Sequence, residues 1–420
     1  MAMDAANMSG SSSMIYTCAD KVASNDDLLL EIFLRLPVKS LLRFKSVSKN
    51  WRSLISNPLF IHLRRRQRTH PGLLLHWLSR PRNRASTSHV DFVALNNNNN
   101  NHGGGDDDHP DLSFFPNLSD VFHMTSCNGL VCCVVDRDCH VINPTTRQFS
   151  TVPQPTHLSR LRMEGVSLAF DPSKSLHYKL VCLWSNPIRS TVEPRIRSET
   201  YYQVEIYSSE TRSWKVLDVN FTLPYRHRPD FYNGIYWNDS IIWFCSSGDS
   251  VYFQIEEERI GTIPQRTTTI QEEVWGDRAF CYGESGGHFY VVERSPPSTG
   301  VKIHELTADF SGWVMKYSSD LGQIGRAFPQ MIENLPGRVN GFRVLSMVWS
   351  EEGGEEAYLV LTIPGKIIRL NLEDNSFREV CNVESVMCKE DGRMAYGSTR
   401  YLVGTRYAHH YIDSLFSTSP

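Results

Sequence analysis

The sequence predicts a small all-α module followed by an all-β propeller of about six blades, on three observations. Residues 24–68 carry apolar side chains at helical spacing in three short segments. From Phe122 onward, apolar alternating runs of strand length are separated by turn residues, with no long helical pattern between them. Within that region one unit recurs, a strand, a polar turn and then an aromatic or aliphatic residue. At 420 residues the chain exceeds one typical domain, so a large repeat fold plus a small unit is reasonable.

Residues 1–23 are small and polar and read as a disordered leader. Ser24, Asn25 and Asp26 are all N-cap residue types, and Asp27 and Glu31 complement a helix N-terminus. Leu28, Leu29, Ile32, Phe33 and Leu36 then follow the i, i+3, i+4, i+7 rule. Pro37 ends that helix and suits the first turn of the next. Leu41, Leu42 and Phe44 form a second stripe. Val47, Trp51, Leu54 and Ile55 form a third, stopped by Asn57-Pro58. Three short helices bury little by themselves, and their apolar side chains lie on more faces than they can cover. The surplus is either covered by the same chain or offered to a partner groove, and spacing alone leaves both open.

The basic run HLRRRQR (His62–Arg68), with Arg80, Arg82 and Arg84, reads as a nuclear import signal, a phosphate-contacting patch or a solvated helix end. The last is preferred, because cations complement a helix C-terminus. Pro71-Gly72 introduces LLLHWL, a first strand, and HVDFVAL (His89–Leu95) is a second. Residues 96–111, rich in Asn, Gly and Asp, cannot pack a core and form a loop. The recurring endings are INPTTRQF, IYSSETRSW, FQIEEERI, IHELTADFSGW and LNLEDNSF. Glycine-containing openings precede most of them: Asn128-Gly129, Asn233-Gly234, Gly286-Gly287 and Gly353-Gly354, with Gly165 standing in for IYSSETRSW. Each blade has apolar faces that only its neighbours can cover, so the ring must close. The stretch Tyr401–Phe416 is expected to close it by pairing with LLLHWL. Six blades are expected over residues 69–412, with seven the alternative and 413–420 a tail.

Leu36–Ile55 reads LPVKSLLRFKSVSKNWRSLI, which resembles the centre of an F-box in its plant form. The resemblance implies binding to the Skp-type adaptor of a cullin–RING ubiquitin ligase, the SCF complex. Leu29, Ile32, Leu36 and Pro37 would meet the adaptor, and Val47, Trp51 and Leu54 would hold the helices together or extend the contact. The family opens with Leu-Pro where this chain has Ser24-Asn25, which implies weaker adaptor affinity or a different isoform choice. CNGLVCC (Cys127–Cys133), INPTTRQF, LAFDPSKSLHYKLV (Leu168–Val181) and NGIYW (Asn233–Trp237) resemble the F-box-associated, kelch-like propeller of the same family. Together the two imply a non-catalytic substrate receptor, whose propeller holds a target protein for ubiquitination. The target face is expected on propeller loops, at Arg189, Arg195, Arg197, Tyr225, Arg226, Arg228 and Trp275.

The formal net charge of -3 excludes a globally basic nucleic-acid binder, though not a local patch. No apolar run approaches the roughly 18 residues of a membrane span. The leader lacks the pattern of a secretory signal, so an intracellular protein, nuclear or cytoplasmic, is expected. Ten Cys are then buried thiols rather than disulfides. His123, Cys127, Cys132, Cys133, Cys139 and His140 crowd together, but adjacent Cys132 and Cys133 would face opposite sides of a strand, so no metal is expected. Gly283–Gly287 satisfies the G-x-S-x-G pattern of a hydrolase. Its flanks are strand-like, so Ser285 reads as a turn residue rather than a nucleophile. No phosphate cradle, H-E-x-x-H or dinucleotide motif is present, and no cofactor is implied. The rivals to the receptor reading are a propeller hydrolase using Ser285 and a nucleic-acid or chromatin binder using residues 62–84.

Overall fold

The computed structural model describes residues 18–57, 59–61, 63, 72–79, 87–95, 110, 112–155, 161–186, 199–224, 227–266, 280–294, 300–329, 342–349, 357–363, 365–382 and 408–418. The chain divides into two compact units, Met1–Arg68 and Thr69–Pro420.

The first unit is helical: α1 (Cys18–Ala23), α2 (Asp26–Arg35), α3 (Val38–Phe44) and α4 (Lys49–Ile55). Residues 18–23 therefore do not belong to a disordered leader. Ala and Lys favour a short helix there, closed where the Ser24 hydroxyl donates to Lys21 O at 3.2 Å. Of the three N-cap residue types in the sequence, Asn25 is the one that caps α2, its side chain accepting from Leu28 N–H at 3.1 Å. Ser48 caps α4 in the same way, accepting from Trp51 N–H at 3.0 Å. Pro37 sits just ahead of α3 with φ -59°, the value its ring imposes.

The second unit opens with β1 (Gly72–Ser79) and β2 (Thr87–Ala94) and then lays down five four-stranded antiparallel meanders. Blade 1 is β3 (Val121–Cys127), β4 (Leu130–Val135), β5 (Asp138–Asn143) and β6 (Gln148–Val152). Blade 2 is β7 (Arg162–Ala169), β8 (Lys179–Asn186), β9 (Glu199–Ser208) and β10 (Ser213–Pro224). Blade 3 is β11 (Ile235–Trp237), β12 (Ser240–Trp243), β13 (Ser250–Gln254) and β14 (Arg259–Ile263). Blade 4 is β15 (Phe280–Ser285), β16 (His288–Arg294), β17 (Gly300–Leu306) and β18 (Trp313–Asp320). Blade 5 is β19 (Arg343–Val348), β20 (Tyr358–Ile363), β21 (Lys366–Asn371) and β22 (Phe377–Asn382). The closing sheet joins the two ends of the unit, with β23 (Ala408–Tyr411) antiparallel to β1 in the register Gly72↔Tyr411 to Leu75↔Ala408. The propeller has six blades, and the pairing expected from the sequence closes it.

Period-2 alternation explains why each blade needs two neighbours. Leu73 and Leu75 of β1 pack with Leu345 and Val360 of blade 5, while Leu74 between them packs with Val131 and Ile142 of blade 1. In β12, Ile241 and Trp243 join the blade 2 side and Ile242 the blade 4 side. Burying both faces of every sheet is the dominant stabilising term here.

All five recurring sequence endings are the hairpins between a blade's third and fourth strands. Each carries one non-glycine residue in the left-handed region: Arg147, Arg212, Glu258, Phe310 and Asn375, with φ between 48° and 60°. The late aromatic stitches blades together. Trp214 Nε1 donates to Pro153 O just after blade 1 (2.6 Å), and Trp313 Nε1 to Pro264 O just after blade 3 (3.0 Å). The glycine openings are not in one register. Asn128-Gly129 and Gly286-Gly287 are left-handed two-residue turns between first and second strands. Asn233-Gly234 instead precedes a first strand, and Gly165 lies within one, where a Cβ would stand 2.0 Å from Phe231 O. Gly353-Gly354 lies outside the described residues.

Candidate functional site

In the helical unit, α2 separates two jobs by face. Leu29, Phe33 and Leu34 point inward, and the Phe33 ring meets Trp51 edge-on at 5.2 Å, with Phe44 at 6.0 Å and Phe60 at 6.5 Å. Asn50 Nδ2 donates to Asp26 Oδ1 at 2.8 Å, tying α4 to the start of α2. On the opposite face Leu28 is 47% exposed and Ile32 43%, one turn apart. Leu36 is half-buried where the chain turns, and Pro37 is exposed. Val47, between α3 and α4, is 60% exposed. Burial, with help from the Arg52 cation, pulls Lys45 below the usual lysine range.

The residues named from the sequence thus fall into three groups. Ile32, Pro37 and Val47 present area to solvent, so Val47 does not hold the helices together. Trp51, Leu54 and Leu36 are half-buried, and Trp51 packs on Phe33 and Phe44. Leu29 is 3% exposed and belongs to the core, leaving no area for a partner. Leu28, which the sequence reading left off the contact face, is the exposed leucine of α2 instead. Three consecutive leucines fit the helical pattern in more than one phase, and only Ile32 at i+4 could have chosen Leu28. Leu59 and Leu63, beyond the stop at Asn57-Pro58, are exposed as well.

On the propeller, Ser285 ends β15 and pairs with His288 across the Gly286-Gly287 turn, whose φ values are 59° and 82°. Its hydroxyl is buried and accepts from Trp349 N–H at 2.9 Å. His288 turns to Glu305 (Nδ1 to Oε1, 2.5 Å) and stacks on Trp349 at 4.4 Å. A strand rather than a helix follows the serine, which is not the geometry of a nucleophile elbow. Cys133 packs with Leu74 and Val131 of the closing interface, whereas Cys132 lies beside Cys139 and Cys182, and burial pushes the Cys133 thiol up to about 12. No group of three potential metal ligands occurs among the described residues. No described helix is long and apolar enough to cross a membrane.

Of the target-face candidates, Arg228 is described and exposed. Arg189, Arg195, Arg197, Tyr225, Arg226 and Trp275 lie outside the described residues, as does most of the basic 62–84 segment. The strands that bracket these candidates are informative nonetheless. Residues 187–198 join the end of β8 to the start of β9, and 225–234 run from the end of β10 to β11. Residues 264–279 run from the end of β14 to β15. These strand termini share one end of blades 2, 3 and 4: Asp230 N–H donates to Phe244 O at 2.8 Å, and Tyr282 Oη donates to Asp230 Oδ2 at 3.0 Å. The recurring hairpins and Gly72, where the chain comes in, lie at the other end.

A helical unit with a solvent-facing apolar strip, joined to a propeller with long connections at one end, defines a two-part binding protein. Comparison with known proteins gives the family. An F-box domain profile matches residues 25–63, and an F-box associated beta propeller domain profile matches residues 95–268. The chain is 32% identical over 386 residues to F-box protein At5g07610 of Arabidopsis thaliana, covering 87% of each. It is 29% identical over 331 residues to the putative F-box/kelch-repeat protein At1g12870 of the same plant, covering 70% of this chain and 71% of the relative. The chain belongs to the plant F-box proteins that carry an F-box-associated propeller, a family of the substrate-receptor type.

Proposed function

We propose that the protein is the substrate-recognition subunit of an SCF ubiquitin ligase. Leu28 and Ile32, with Leu36 and Pro37 at the end of α2 and Val47 beyond it, dock on the Skp-type adaptor. The adaptor links the chain to the cullin scaffold and its RING subunit. The propeller holds a target protein at the end where residues 187–198, 225–234 and 264–279 emerge. Ubiquitin transfer then gains from proximity, since tethering makes it nearly intramolecular, and needs no nucleophile from this chain.

The observation that carries this reading is the exposure of Leu28 and Ile32 on one face of a helix whose other face is fully packed. Apolar area at that spacing, in so small a unit, is what a helix-in-groove partner covers. The test is co-purification of the full-length chain with a Skp-type adaptor. Ile32→Asp places a charge in the contact and should abolish capture while the circular dichroism of the protein is unchanged. Capture by Ile32→Asp at the wild-type level would overturn the proposal.

A further inference from the structure

The segment after β23 is not a loose tail. Residues Ile412–Thr418 run across the hairpin end of blades 1 and 2, and Ser414, Leu415, Phe416 and Thr418 are buried there. The seat is built mainly from side chains that read main-chain atoms. Asn143, wholly buried, donates from Nδ2 to Ser414 O (3.1 Å) and Phe416 O (2.7 Å). Its Oδ1 accepts from Thr145 N–H at 2.9 Å, which fixes the carboxamide's orientation. Ser414 N–H donates to Thr145 Oγ1 at 3.1 Å, and Tyr178 Oη donates to Thr418 O at 3.4 Å. Phe416 inserts edge-on against Phe170 with ring centroids 4.9 Å apart. Gly129 lets the segment come close: a Cβ there would stand 2.3 Å from Ser414 Cβ and 2.7 Å from Ile412 O.

This arrangement has the features of peptide recognition. Main-chain hydrogen bonds to an extended segment supply affinity, and one aromatic pocket supplies selectivity. The segment pairs in none of the six sheets, and β23 already closes the ring without it. We infer that the groove between Gly129, Asn143 and Phe170 is a peptide-binding site that the protein fills in cis with Ile412–Thr418. The segment is therefore an exchangeable latch rather than an integral part of the ring. The inference is independent of the ligase reading.

The test uses the full-length chain and a fluorescently labelled peptide copying Ile412–Thr418, followed by polarisation. In the wild type the tethered segment competes at an effective concentration on the order of millimolar, so the added peptide binds weakly. Phe416→Ala weakens the tethered segment only, and the wild-type peptide should bind this variant at least about 10-fold more tightly than it binds the wild-type protein. Adding Asn143→Ala to Phe416→Ala should reverse that gain. Equal binding to wild type and Phe416→Ala, or none to a Phe416→Ala protein whose urea transition is intact, would overturn the inference. If Phe416→Ala does not fold, amide exchange on the wild type decides. The amides of Ser414 and Phe416 should exchange at least about 10-fold faster than those of β23, as a local opening does. Exchange of both at one rate would mean the segment and the ring are a single cooperative unit, against the inference.

Discussion

Substituting Phe33 and Ile32 in turn separates the fold of the helical unit from its proposed docking surface. Phe33 is 1% exposed, and its ring meets Phe44, Trp51 and Phe60. Phe→Ala in such a core costs about 3–5 kcal/mol, and a helical unit this small has only about 3–5 kcal/mol to lose. Phe33→Ala should therefore bring the unit close to its unfolding midpoint at 25 °C, with about half of it folded. Ile32, 43% exposed, contributes little to folding. Burying the exposed part of it against a partner is worth about 1 kcal/mol, so Ile32→Ala should weaken adaptor binding about five-fold. Amide exchange read by mass spectrometry, alongside adaptor capture, distinguishes the two. In Ile32→Asp the α2–α4 amides keep their protection and the adaptor is lost; in Phe33→Ala both are lost while the propeller amides are unchanged. If Phe33→Ala kept α2–α4 protected to within about 1 kcal/mol of wild type, the aromatic core described above would not be what holds the unit together.

Two further outcomes concern the propeller. Gly234→Ala drives a Cβ to 2.1 Å from Ser167 Oγ and 2.6 Å from Trp243 Nε1, whose mutual hydrogen bond is 3.2 Å. Overpacking should cost about 1–3 kcal/mol, whereas Gly312→Ala, with open space around the new Cβ, should be neutral or slightly stabilising, as urea midpoints would read. Burial pulls the His76 imidazole down to about 4, where Nε2 lies 2.8 Å from Ser88 Oγ. Its folded value lies below the unfolded one of about 6.5, so its contribution is complete above pH 6.5 and is lost as pH falls toward 4. Between pH 7.5 and 5 the loss from this group is about 2 kcal/mol; urea melts at the two pH values should show it, and His76→Gln should remove that part.

What was legible in the sequence follows the chemistry of each element. The third-to-fourth-strand hairpins stood out because one turn solution is reused: a side chain such as Asn143 or Asn371 accepts from the turn's own amides, then one residue goes left-handed. That is local information. The ring closure was legible because LLLHWL and Tyr401–Phe416 stand at the two ends of the repeating region, where a closed ring must bring strands together. The first-strand glycines misled because two different demands select glycine. At Gly286 and Gly287 the need is positive φ; at Gly165 and Gly234 it is close approach by another blade. Leu28 and Leu29 could not be ranked from Leu28-Leu29-Leu30 alone. The latch was illegible because Asn143 and Ser414 are 271 residues apart, and nothing near either residue announces the other.

The topology also explains why the residues proposed for target binding carry no readable pattern. A four-stranded meander puts its first and third hairpins at one end, leaving the second-to-third connection and the passage to the next blade at the other. At the hairpin end every third-to-fourth turn carries a left-handed residue, and the groove for Ile412–Thr418 needs Gly129 and Asn143 in place. The opposite end carries 187–198, 264–279, 321–342 and 383–407, the longest connections after β3, and a longer loop costs only a few tenths of a kcal/mol in closure entropy. Closure entropy therefore sets little limit on the length of these connections, although in 321–342 Leu321 and Ile324 are wholly buried and tie that one to the core. Under the receptor reading proposed above, this is the end that would choose a target, and tolerance of loop length is why no pattern in those residues reveals which one.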